Sequence, residues 1–278
     1  KIGGILFHQM DVLDVDHLES VVKENQVSEI YLLAALLSAV SEQKIRSAWD
    51  LNMNGLFNVL ELARRGIIER VFWPSSIAVF GPSSPKKNTP QNAILEPTTV
   101  YGISKCAGER WCDYYFKKFG VDVRSIRYPG IISYKSKPGG GTTDYAVEIF
   151  HEALANSKYT CFIDKDIYLP MMYMDDAIRA TIELMQVEKE VFTVFKSYNV
   201  SAESFSPSEI AKEILQFIPD FEITYAPDFR NDIALSWPSS INDDEARHDW
   251  GWHEQYDIKK MTEKMISGIN SNFNVISS

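Results

Sequence analysis

Cysteine is scarce in this 278-residue chain. Cys106, Cys112 and Cys161 are odd in number and form no Cys-x-x-Cys, which excludes a disulfide framework and suits a reducing compartment. The five histidines, His8, His17, His151, His248 and His253, show no paired ligand spacing, so no zinc or other metal site is expected. No apolar run reaches the ~20 residues that span a bilayer, and no membrane partner is expected. Positive charge is also short. Lys and Arg number 28 against 38 Asp and Glu, a formal charge of -10 that repels phosphate backbones, and no basic stripe offsets it. Nucleic acid is therefore excluded as a partner. What is plentiful is apolar: 45% of residues are hydrophobic, enough for a substantial core in one or two domains.

Among these residues one stretch carries chemistry. Tyr101 and Lys105 are four apart, and Gly102 to Phe119 runs through good helix formers to a stop at Gly120. If Tyr101 opens that helix, both side chains share a face. A phenol titrates near pH ~10 in water, and a nearby ammonium favours its ionised form. The pair then becomes a proton acceptor for an alcohol. Ser76, after the apolar strand Arg70-Val71-Phe72-Trp73, has a hydroxyl to orient that alcohol. The plainer alternative is an exposed Tyr and Lys at a helix start.

Ser75-Ser76-Ile77-Ala78-Val79-Phe80-Gly81, Tyr101-Gly102-Ile103-Ser104-Lys105 and Arg127-Tyr128-Pro129-Gly130, in that order, resemble the extended short-chain dehydrogenase/reductase superfamily. Within it the chain is most similar to the short-chain type of L-threonine 3-dehydrogenases. Further words point there: Ala34-Ala35-Leu36-Leu37-Ser38-Ala39, Trp49-Asp50-Leu51-Asn52-Met53-Asn54, Gly139-Gly140-Gly141-Thr142-Thr143-Asp144-Tyr145, Met171-Met172-Tyr173-Met174-Asp175-Asp176 and Ser236-Trp237-Pro238. The resemblance implies an α/β, Rossmann-like doubly wound parallel sheet with a smaller mixed α/β substrate domain. Residues 1–131 and 157–200 would form the first unit, 132–156 and 201–278 the second. It implies NAD as cofactor, L-threonine as substrate, and 2-amino-3-oxobutanoate as product. A homodimer would pair the helix of residues 48–65 with that of 102–119. The compartment would be the cytoplasm of a bacterium or the mitochondrial matrix of a eukaryote, any transit peptide lying upstream.

In chain order, residues 5–10 read as a short strand closing at Asp11. Asp11 and Val12 sit where the family places an adenine contact. Equally, Asp11, Asp14 or Asp16 caps the helix of residues 17–25. The apolar run Glu29 to Ala35 reads as a parallel strand covered on both faces. In the family its end, Leu33-Ala34-Ala35, passes under the cofactor ribose and nicotinamide, and Ser38 touches substrate; simple packing is the alternative. Residues 48–65 show a helical period in which Asn52 and Gly55 match the family's Asn-x-x-Gly, grouped with the cofactor site through a relay behind the lysine. Gly81 to Pro97, with four prolines at 82, 85, 90 and 97, is a loop expected over the site's mouth.

The resemblance assigns Ser76, Tyr101 and Lys105 to catalysis, with Tyr101 and Lys105 also holding the cofactor. Tyr128-Pro129-Gly130-Ile131 would close over the nicotinamide. Pro138 to Thr143 lacks the lysine and spacing of a phosphate loop, but its permissive backbone suits a small polar ligand. There Gly141, Thr142 and above all Thr143 would meet the amino acid. Trp237 would wall the pocket or serve as core, and Trp250 and Trp252 are packing. A Gly-x-x-Gly-x-x-Gly turn between strand and helix is not found in these residues. The first strand read here corresponds to the family's third, so the first β-α-β unit would either lie before residue 1 or have been lost in a true truncation; the former is favoured, leaving an unpaired strand edge or an empty groove near the sheet centre. A nucleotide-sugar epimerase or dehydratase and a non-catalytic, cofactor-sensing relative are the competing readings.

Overall fold

The computed structural model describes residues 4–194 and 197–276, with backbone alone for Ser38, Ala39 and 272–276. In chain order the helices are α1 (Val15–Glu24), α2 (Ser38–Gln43), α3 (Ile45–Trp49), α4 (Gly55–Arg64), α5 (Val100–Phe119), α6 (Tyr145–Asn156), α7 (Met174–Gln186), α8 (Pro207–Leu215), α9 (Phe229–Ser236), α10 (Asp244–Trp250) and α11 (Ile258–Ile276). The strands are β1 (Glu29–Tyr31), β2 (Arg70–Phe72), β3 (Ser75–Ser76), β4 (Asp122–Arg124), β5 (Ile126–Tyr128), β6 (Gly130–Ile132), β7 (Lys158–Cys161), β8 (Leu169–Tyr173), β9 (Tyr198–Asn199), β10 (Glu203–Phe205) and β11 (Glu222–Tyr225).

Strands β1, β2 and β4 pair in parallel, with Ile30 beside Val71 and Val71 beside Val123. A few residues further along the same paths, β3, β5 and β9 pair in parallel too. Successive side chains on a strand point to opposite faces, and β2 shows the result. Val71 packs with Leu56, Leu60 and Cys112 of α4 and α5, whereas Phe72 packs with Ala177, Ala180 and Leu184 of α7. Helices on both faces of a parallel sheet make a doubly wound, Rossmann-like α/β fold.

A second layer joins β6 to β8 in parallel and β8 to β10 antiparallel, covered by α6, α8 and α11. Strand β7, placed by the sequence in the first unit, pairs instead with β11 of the second. No helix of the described residues is long and apolar enough to cross a membrane.

Three sequence expectations need correction. Residues 6–10 form no strand. Leu6 and Phe7 are exposed, and an apolar run without a hydrogen-bonding neighbour has nothing to hold it extended. Strand β1 is not covered on both faces, because Tyr31 is 41% and Leu33 67% exposed, and among the described residues it has a partner on one side only. The loop of residues 81–97 does not lie over the site's mouth. Lys86 Nζ donates to Ser236 O at 2.6 Å, Thr89 bridges to Ile241, and buried Gln91 bonds Ser197 and Asn199, so the loop is stitched both to the end of α9 with the segment after it and to β9 of the first sheet.

Candidate active site

A groove of about 530 Å³ opens at the carboxyl ends of β1, β3 and β5, the position where open α/β sheets take ligands. Helix α5 supplies its chemistry. Thr99 caps the helix, accepting from Gly102 N at 3.0 Å, while Glu42 of α2 accepts from Val100 N at 2.7 Å. These bonds place Tyr101 in the first turn, facing the groove, with Lys105 one turn below. Gly102 lets the helix come so close: a Cβ there would stand 2.2 Å from Ala78 O. On the opposite wall, a Cβ at Gly130 would meet Met171 Sδ at 2.4 Å and Thr143 at 2.9 Å.

Ser76 pairs with Tyr128 across β3 and β5, and its Oγ accepts from Ala78 N at 3.2 Å. Burial pushes the Tyr101 phenol up to about 12, and a hydrogen bond with the Ser76 hydroxyl opposes the rise. Lys105 is 3% exposed. Its Nζ donates to Pro74 O at 2.5 Å, lies 4.4 Å from the Trp73 ring centroid and 5.5 Å from that of Tyr101. Burial pushes its ammonium down to about 7, against the opposing effect of neighbours that include Glu109. This corrects the sequence reading, in which lysine lowers the phenol's pKa: here Lys105 is turned to a carbonyl, and desolvation dominates Tyr101.

Of the other singled-out residues, Leu33, Ala35, Tyr128, Pro129, Gly130, Ile131, Gly141, Thr142, Thr143 and Trp237 line the same groove. The Tyr128 hydroxyl is committed to Thr181 on α7. Asp144 holds the glycine loop in shape, its Oδ2 accepting from Gly139 N at 2.6 Å and Gly141 N at 2.8 Å. Trp237 is buried at the end of α9, behind the loop bond from Lys86.

Four singled-out residues do not line it. Ala34 is exposed beside it. Asp11 accepts from Leu13 N at 2.9 Å in a local turn, and Asp14, not Asp11, caps α1. Val12 packs on α4, where its O accepts from Asn58 Nδ2 at 2.8 Å. Asn52 is buried: its Oδ1 accepts from Leu36 N at 2.8 Å, and its Nδ2 donates to Leu36 O at 3.1 Å and to Ser104 Oγ at 3.3 Å. It sits in a widened π turn, Asp50–Asn54, between α3 and α4, and anchors the segment after β1 to α5. The Ser38 side chain lies outside the described ones. Sequence reasoning missed Leu37, Val40, Lys137, Val147 and Met174, all lining the groove. Their spacing reads as ordinary helix and loop, and only the fold brings them together.

Comparison with known proteins decides the family. Residues 2–201 match the NAD dependent epimerase/dehydratase family. The chain belongs to that family. NAD is its cofactor. A relative in Staphylococcus haemolyticus, called an uncharacterized epimerase/dehydratase, is 48% identical over 95% of this chain and 83% of its own. The GalE-like L-threonine dehydrogenase of Cupriavidus necator, in holo form, superposes with a TM-score of 0.94 at 52% identity, over 97% of this chain and 87% of that one. A monomeric L-threonine 3-dehydrogenase from a metagenome, in apo form, gives 0.93 at 50% identity, over 98% and 88%. This epimerase/dehydratase-family chain is an NAD-dependent enzyme with threonine dehydrogenases as structural neighbours.

The groove fits the nicotinamide end of that cofactor. Ala35 leaves one wall bare of bulk, as a flat ring requires, and the Tyr101 hydroxyl and Lys105 amine line the groove as polar groups. Among the described residues no three His, Cys, Asp or Glu are placed to hold a metal ion.

Proposed function

We propose that the protein oxidises the hydroxyl of L-threonine to 2-amino-3-oxobutanoate, with NAD+ as acceptor. The observation that carries this reading is the convergence of Ser76, Tyr101 and Lys105 on a groove whose far wall is the Gly139-to-Thr143 loop with Trp237 behind it. That wall offers the Thr142 and Thr143 hydroxyls at the scale of an amino acid, on a loop whose Gly139 and Gly141 amides are held by Asp144. Leu33, Ala34, Ala35, Tyr101, Lys105 and Tyr128 to Ile131 would hold the nicotinamide–ribose end, with Asp11 and Val12 toward the adenine. Asn52 acts behind them by fixing Leu36. Ser76, Gly141, Thr142, Thr143 and Trp237 would bound the substrate, with Ser38 beside them.

In this reading Ser76 donates its hydroxyl to the substrate oxygen, and the bond strengthens as carbonyl character develops. Tyr101 Oη takes the hydroxyl proton while the electron pair of the adjacent C–H bond departs as hydride. Bound NAD+ supplies the acceptor for that hydride. A phenol at about 12 resists ionisation at neutral pH, and positive charge has to offset that resistance. Lys105 lies 5.5 Å from the ring centroid, and swinging its ammonium from Pro74 O toward Tyr101 would let it supply that charge.

The family and its relatives' names favour a second reading, a nucleotide-sugar epimerase or dehydratase. The two separate in one assay. Full-length protein with NAD+ should generate NADH absorbance from L-threonine and not from UDP-glucose; the reverse, or epimerised sugar, rejects the proposal. Tyr101→Phe should lower turnover by about 10²–10⁴-fold while NAD+ affinity stays nearly unchanged. Undiminished turnover removes Tyr101 as the base.

A further inference from the structure

Two turns below Tyr101 on the same face of α5, a carboxylate lies sealed in the core. Glu109 is 1% exposed, as is Arg127 of β5. Glu109 Oε1 accepts from Ser75 Oγ at 2.6 Å and from Arg127 Nε at 2.8 Å, while Oε2 accepts from Arg127 Nη2 at 2.7 Å. Arg127 Nη1 then donates to Gln91 O and Asn199 Oδ1, each at 3.0 Å, and its guanidinium lies 5.3 Å from the Phe80 ring centroid. Burying such a pair contributes little net stability, and an apolar replacement of similar volume is often as stable. Its value has to be sought in what it aligns.

The alignment is visible in the chain around it. Ser75 stands between Pro74, whose carbonyl takes the Lys105 ammonium, and Ser76, which meets Tyr101. Lys105 and Glu109, one turn apart, therefore grip consecutive residues of the strand end and fix how far Ser76 reaches along the helix. Arg127 carries the constraint to the strand that continues into Tyr128, Pro129 and Gly130, the opposite wall of the groove.

We infer that Glu109 is a positioning residue which, through Ser75 and Arg127, holds Ser76 and the Tyr128-to-Gly130 wall in register with Tyr101 and Lys105. This rests on the alcohol-oxidising reading above for its effect on turnover, but not for its effect on local order. The Glu109 carboxylate also opposes the loss of the Lys105 proton.

Two full-length variants test it, read by turnover with L-threonine and NAD+, by thermal melting and by hydrogen exchange. Ser75→Ala cuts one link and leaves the ion pair intact. Glu109→Met with Arg127→Met removes both charges together, so neither is left buried alone. Positioning predicts a melting temperature close to the parent's for Ser75→Ala and a lower one for the double variant, which also leaves Gln91 O and Asn199 Oδ1 without Arg127; in both, kcat falls about tenfold or more, since small misplacements are costly, with KM for threonine within about twofold. It also predicts faster amide exchange in residues 74–80 and 126–131 of both variants. Folded variants with parental kcat, or with unchanged exchange in those two segments, overturn the inference. If the parent itself makes no NADH from threonine while exchange rises in both segments of the variants, positioning stands and the threonine reading falls.

Discussion

A buried lysine whose ammonium is pushed down to about 7 stores a cost that shows up as pH-dependent stability. The unfolded chain binds a proton at Lys105 up to its ordinary value of 10.5, whereas the folded chain releases it near 7. Between those values the unfolded state holds more protons, so stability from this residue rises with pH across the window and is flat below it. Lys105→Met should therefore unfold at higher urea than the parent at pH 7, by on the order of a few kcal/mol, with the advantage shrinking as pH rises to about 10. A constant difference across that range rejects the assignment. Sequence named Tyr101, Lys105 and Ser76 because helical spacing and the strand before Ser76 are local properties. It did not reveal that Lys105 turns to Pro74, nor that Glu109 meets Arg127, because those partners come from separate elements and only packing chooses them.

At the scale of elements, the approach of α5 to the strand ends decides whether the site exists. Both its ends were legible: the helix runs to Phe119 and stops at Gly120, in the left-handed region at φ 71°. The close contact at its start was not, because a glycine after a tyrosine says nothing of the carbonyl it will face. Gly102→Ala would force the helix off Ala78 O, costing about 1–3 kcal/mol as overpacking does. Turnover should fall further than stability alone explains, since Tyr101 moves with the backbone. Urea unfolding together with kcat checks this, and a variant of parental turnover contradicts it. The stretch of residues 5–10 misled for the opposite reason. Its apolar character resembles a strand, yet backbone groups become a strand only beside a partner.

Across the whole molecule, α5 also presents an outer face. Trp111, Tyr114 and Phe119 are 40%, 47% and 45% exposed, and Phe57 of α4 packs edge-on against Trp111 at 4.9 Å. Aromatic rings concentrated on two neighbouring helices are the composition of a protein interface. Full-length protein is expected to sediment as a homodimer and Trp111→Glu as a monomer; a parent that sediments as a monomer at every concentration rejects the dimer. The two-faced sheet was legible only through the family resemblance, since the apolar run of residues 29–35, read as covered on both faces, is exposed on one. The pairing of β7 with β11 was not legible, because strands far apart in sequence leave no mark of their partnership. One last consequence follows from the π turn of Asp50–Asn54. A π turn holds one residue more than an ordinary helical turn, so a one-codon deletion there could close it to regular helix, and its cost would fall on Asn52, whose amide would lose its aim at Leu36 and Ser104.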